Sequence, residues 1–254
     1  LSIESYFITL IISLITGLTF YFFGKKSNRQ INFIEQLILI LFVYFVIGLL
    51  ISIPFYLSNF QITFISAIFE SISGLTGTGF STIKNIKYLD PTLILWRSSS
   101  QWIGGLFFLF FLVLFFSNKT FNYKMTNLSY SGDNNFKSEE NIKNIILKIF
   151  IFYCVFSFII LTIFSISGIR LFNSLNLTMT LVSNGGFLPS NNLNEIISSN
   201  LQKITLIVAL ILSLLNFFFV FNIFNKKILT KEHSEDFYLL IFAFLLILFI
   251  YFNN

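Results

Sequence analysis

The sequence predicts an all-α polytopic membrane protein built from repeated helix–pore loop–helix units with re-entrant half-helices. Three observations predict it. Apolar residues make up 56% of the 254 and charged residues only 11%, whereas soluble domains run at roughly 45–50% and 25%. Six apolar runs reach the length of about 20 residues that a bilayer-spanning helix needs. Finally, a unit of helix, short apolar stretch, glycine cluster and helix occurs twice at matched spacing. So much apolar side chain excludes a soluble enzyme, a nucleic-acid binder and a disordered chain.

The six runs cover roughly 5–23, 33–56, 92–117, 141–168, 199–224 and 236–252. The first lacks a basic leader and a small-residue cleavage site, so it reads as a span and not as a signal peptide. The chain opens on Leu1 directly into this run, and further sequence is expected upstream. Eleven of the sixteen Lys and Arg residues lie in or beside the loops 24–32, 118–140 and 225–235. An excess of basic residues marks cytoplasmic loops, so all three are expected inside and residue 1 outside. The formal charge of +5 therefore belongs to these loops and is no sign of nucleic acid.

Two outer segments remain, 57–91 and 169–198. Each holds an apolar stretch too short to span, Ile62 to Leu75 and Leu171 to Val182, as expected of a re-entrant or buried helix. Each stretch ends in small residues: Thr76-Gly77-Thr78-Gly79-Phe80 and Ser183-Asn184-Gly185-Gly186-Phe187. Gly79 lies 47 residues after Asn32, and Gly186 lies 46 after Glu140. The domains expected are 1–31 (an upstream helix and cytoplasmic loop), 32–117 (repeat one), 118–140 (a cytoplasmic linker), 141–225 (repeat two) and 226–254 (a loop and the first helix of a third repeat).

The repeated unit suggests a cation pore loop. A short helix entering from the outer face presents its partially negative C-terminus to the membrane centre. The residues after it can turn backbone carbonyls toward one axis and replace the hydration shell of a monovalent cation. The candidate ion-binding residues are Thr76, Gly77, Thr78, Gly79, Ser183, Asn184, Gly185 and Gly186. Each cluster alone also looks like a helix C-cap; their matched spacing favours the pore loop. Nothing here offers the thiolate or imidazole ligands that transition metals prefer, so no cofactor is expected, only a transported ion. No nucleophile–base pair or phosphate loop is visible, so the chain is not expected to be an enzyme. The rival is a membrane scaffold or enzyme that uses its re-entrant loops for packing.

Glu70 and Arg97 are ionisable groups at membrane depth, which usually pair. One reading joins them, fixing the short helix against the next span. The other has Arg97 snorkelling to the headgroups and Glu70 facing an aqueous vestibule. Gly104 and Gly105 within a span suggest close helix–helix approach. Gln101 completes the set of candidate pore-support residues.

The stretch from Ala67 to Gly79 resembles the first pore helix and filter of the Trk/Ktr/HKT potassium transporters. Leu95-Trp96-Arg97-Ser98-Ser99-Ser100-Gln101-Trp102-Ile103-Gly104-Gly105 is similar to the LWRSxxQWxGG signature of the bacterial Trk membrane subunit. Ile53 to Leu57, Asn176 and the Ser183–Phe187 loop resemble further parts of that family. The resemblance implies four such repeats around one potassium-channel-like pore, with filter glycines at Gly79 and Gly186. It implies potassium transport in the cell (inner or plasma) membrane, with a sodium-permeable relative as the alternative; glycine at 79 favours potassium. It also implies a homodimer and a cytosolic nucleotide-binding regulatory subunit (TrkA/KtrA-like). Gly77, Phe80, Leu177 and Asn184 depart from the residues most common in the family.

Overall fold

The computed structural model describes residues 2–25, 27, 32–116, 139–215, 238–242 and 245. The described residues form helices without strands: α1 (Ser2–Gly24), α2 (Phe33–Tyr56), α3 (Phe64–Leu75), α4 (Pro91–Phe116), α5 (Glu139–Ile166), α6 (Leu171–Val182) and α7 (Asn200–Leu214). Four of them, α1, α2, α4 and α5, are long and apolar enough to cross a membrane. The expected spans agree with these bounds to within a few residues, the ordinary uncertainty of helix ends. The expected cytoplasmic loops 118–140 and 225–235 lie almost wholly outside the described residues, as does most of the run 236–252. The run 199–224 is described as helix to Leu214.

The order long helix, twelve-residue helix, loop, helix occurs twice. The two short helices match end to end at a spacing of 107 residues (64 to 171, 75 to 182). A single 3-10 turn follows each at the same spacing, Ile86–Tyr88 and Leu193–Glu195. Local signals set the starts. Thr63 caps α3, its Oγ1 accepting from the Ser66 N–H at 3.3 Å. Ser199 caps α7 in a reciprocal box with Gln202, which satisfies two otherwise orphaned N–H groups. Pro54 stands in the last turn of α2, which ends two residues later.

The chain divides into two compact units. The first holds α1, α2, α3, α6 and α4 as far as Phe111. Its apolar core joins Ile51 and Phe55 of α2, Ala67 and Leu75 of α3, and Leu89, Leu93 and Ile94 around the start of α4. Trp96 ties α4 to α2 by donating Nε1–H to the Ile51 carbonyl at 3.0 Å, and its ring meets Tyr6 of α1 edge-on. α4 is the most enclosed of the four long helices, and its buried side chains include a polar group, Arg97, Ser98, Ser100 and Gln101, between apolar ones. The second unit holds α5, α7 and the end of α4. Ile145, Ile149, Tyr153, Ile160 and Phe164 are its buried residues on α5, spaced to fall on one helical face.

Gly104 lets α4 lie directly on the end of α3. A methyl group there would overlap the backbone of Leu75. Gly104→Ala is therefore expected to destabilise the protein by about 1–3 kcal/mol, the usual cost of overpacking. Thermal unfolding in detergent checks this; an unchanged midpoint would refute the close contact. Gly105 is only half-buried.

Candidate functional site

Both glycine loops belong to the first unit, and their backbone geometry is shared. After α3, the Gly77 N–H donates to the Gly74 carbonyl and the Thr78 N–H to Ser73. After α6, the Asn184 N–H donates to Leu181 and the Gly185 N–H to Thr180. Gly77 and Asn184 are left-handed, with φ of 69° and 52°. Each short helix thus ends in a Schellman cap, for which Gly is the usual residue and Asn the next best. This gives Asn184 a reason: it occupies the position in the second loop where a side chain must tolerate positive φ.

The repetition extends further. Thr76 Oγ1 and Ser183 Oγ both donate to the carbonyl four residues back at 2.8 Å. Ser73 Oγ donates to the Phe80 carbonyl at 2.6 Å, and Thr180 Oγ1 to the Phe187 carbonyl at 2.7 Å. Each of these pairs keeps the spacing of 107.

The two loops meet at their second glycines. A Cβ at Gly79 would lie 2.6 Å from the Gly186 Cα, and one at Gly186 would lie 3.2 Å from the Gly79 Cα. Gly79 is also left-handed, at φ 74°. A Cβ at Gly77 would come within 3.6 Å of the Ser183 carbonyl. The C-terminal ends of α3 and α6, where partial negative charge collects, therefore converge. Among the described residues, the carbonyls of Thr76 to Gly79 and of Ser183 to Gly186 accept no hydrogen bond.

α4 supports both loops from one stripe of residues. Arg97 Nε lies 3.3 Å from Glu70 Oε2, and both side chains are fully buried. Glu70 Oε1 accepts from Ser81 Oγ at 2.8 Å, from the Thr82 hydroxyl, and from the N–H groups of Thr82 and Ile83. Arg97 Nη2 donates to Ser81 Oγ at 3.1 Å. One carboxylate thus holds the chain just after the first loop, and one guanidinium compensates it. Four residues along α4, Gln101 Oε1 accepts from the Phe187 N–H and lies 3.0 Å from the Thr180 hydroxyl that holds the Phe187 carbonyl. Ser98 Oγ donates to Asn176 Oδ1 of α6 at 2.7 Å.

The outer segments are also joined. The Ile86 N–H donates to Asn191 Oδ1 at 2.8 Å, and Lys87 pairs with Glu195 at 2.8 Å in a largely exposed position. An exposed pair of this kind contributes little.

The structure thus brings together all eight candidate loop residues, with Glu70, Arg97, Gln101 and Gly104 behind them. Sequence reasoning missed Ser73, Thr180, Ser81, Thr82 and the cross-link through Asn191. Ser73 and Thr180 had a detectable signal, because they share the spacing that pairs the glycines.

No family model matches the sequence. The chain is 30% identical over 186 residues to an uncharacterised cation transporter of Methanocaldococcus jannaschii, covering 70% of this chain and 38% of the relative. It is 31% identical over 106 residues to the Trk system potassium uptake protein TrkG of Escherichia coli, covering 41% and 22%. The crystal structure of the potassium transporter TrkH from Vibrio parahaemolyticus matches 92% of this chain and 47% of its own, with a TM-score of 0.72 at 22% identity. That match shows a shared fold. This is a multi-pass membrane protein whose homologues are transporters and not enzymes. Within that class it is a homologue of the Trk potassium uptake proteins. The chain spans less than half the length of each of these relatives.

Proposed function

We propose that this chain contributes to potassium uptake across the cell membrane, and that its two loops supply carbonyls to one selectivity filter. The observation that carries the reading is the duplicated loop geometry with Gly79 against Gly186. Two negative helix ends and two glycine segments converge on one place, the electrostatic setting a dehydrated cation needs. The loops' free carbonyls are hard oxygen ligands suited to an alkali cation. In this reading α3 and α6 are re-entrant. Ser73 and Thr180 pin the end of each loop, and α4 braces both from behind. The Schellman caps are compatible with a filter, because they set the direction in which each loop leaves its helix.

Two loops cannot close a ring of carbonyls, so further loops of the same kind complete it. A homodimer and a cytosolic nucleotide-binding regulatory subunit follow from the resemblance to Trk-type transporters. The test is uptake by the native protein in a host that lacks potassium uptake. Growth at limiting potassium, with rubidium flux exceeding sodium flux, is the expected result. Sodium flux equal to or above rubidium would replace the potassium reading with the sodium-permeable one. No flux of either ion would overturn both.

A further inference from the structure

We propose that Gln101, on the helix leaving the first repeat, is the positioning residue that aims the Gly186 carbonyl of the second loop. The inference rests on the reading of the loops as a cation filter. Gln101 is fully buried. Its Oε1 accepts from the Phe187 N–H at 3.2 Å, and Thr180 Oγ1, which holds the Phe187 carbonyl, lies 3.0 Å away. A backbone N–H can only donate, so the atom it meets is the amide oxygen and the orientation of the side chain is set.

The Phe187 N–H and the Gly186 C=O belong to one planar trans peptide, in which they point in opposite directions. Holding the N–H against α4 therefore turns the Gly186 carbonyl away from α4. Rotation of that peptide would break the bond to Gln101 and leave a buried donor unpaired.

Phe187 is also fastened elsewhere. Its carbonyl accepts from Thr180, its ring lies 4.1 Å beneath the Arg97 guanidinium, and it is 1% exposed. The first loop has no such latch. Phe80, its counterpart, is 71% exposed, and its N–H has no partner among the described residues. A side chain at Gly185 would collide with the Gln101 amide, so glycine there makes room for the latch. Gln101 Nε2 has no partner among the described residues; the side chain is kept for its oxygen.

The test uses the native protein in proteoliposomes, with protein per vesicle quantified and the rubidium-to-sodium permeability ratio as readout. Gln101→Met keeps length and removes the acceptor. It is expected to lower the ratio roughly tenfold, the scale set by one lost buried hydrogen bond, at parental protein content. Gln101→Glu retains an acceptor oxygen and is expected to recover most of the ratio. A merely structural role would lower protein content and leave the ratio alone, and that result overturns the proposal. Should Gln101→Met fail to insert, Gln101→Leu removes the same acceptor with a shorter side chain, and an unchanged ratio there overturns the proposal equally. Gly79→Ser and Gly186→Ser are measured in parallel. If both leave the rubidium flux and the ratio unchanged, the filter reading itself fails. If either alters them while Gln101→Met does not, only the positioning role fails.

Discussion

Replacing Glu70 by glutamine is expected to cost about 3–5 kcal/mol, the usual result of breaking a buried ion pair by removing one partner. The oxygen of the new amide could still accept from Ser81, Thr82 and Ile83. Its NH2 would then face the Arg97 Nε–H that now donates to Oε2. Two donors would oppose each other, and the guanidinium would keep its charge, buried and without its counter-charge. Glu70→Gln should therefore lower both the amount of folded protein and its thermal midpoint. Adding Arg97→Gln should recover part of the loss, because the second amide can offer an oxygen and the stranded charge is gone. If the two single variants and the double variant all match the parent, the pair has no structural weight.

Serine at Gly79 or Gly186 is expected to have the second large effect, on transport and not on folding. At Gly79 two penalties combine. A left-handed backbone costs an L-residue roughly 1–2 kcal/mol, and the new Cβ would sit 2.6 Å from the Gly186 Cα. The loops must then move apart. Gly186 is not left-handed, and its Cβ would meet Gly79 at 3.2 Å, so the smaller effect is expected there. Rubidium and sodium fluxes should show reduced rubidium uptake or increased relative sodium permeability in both variants, with Gly79→Ser the more affected. Unchanged selectivity in both would return the loops to the role of helix caps alone.

Much of this site was legible in the sequence because each signal was local or periodic. α6 spans the stretch anticipated from its apolar residues, and α3 starts two residues inside its own. The glycine spacing announced the repeat, and the opposite charges of Glu70 and Arg97 announced the pair, with the vestibule arrangement left open as a rival. What could not be read was which neighbour each α4 side chain serves. Arg97 and Gln101 lie one turn apart on one face, which spacing shows. That the hydrogen bonds of Arg97 serve the first loop and those of Gln101 the second is a matter of tertiary packing, and no pattern within α4 encodes it. The cap and pore readings looked like alternatives because both call for glycine. The structure separates the two uses: Gly77 and Asn184 serve the cap, while Gly79 and Gly186 serve the approach of the loops.

The central claim is that a cation sits among the carbonyls of Thr76 to Gly79 and Ser183 to Gly186. Crystals of the native protein grown with rubidium in place of potassium test it directly through the anomalous scattering of the ion. Density coordinated by carbonyl oxygens of both loops is the expected result, weakened or displaced in Gly79→Ser. Rubidium bound elsewhere in the protein, with none between the two loops, would contradict it.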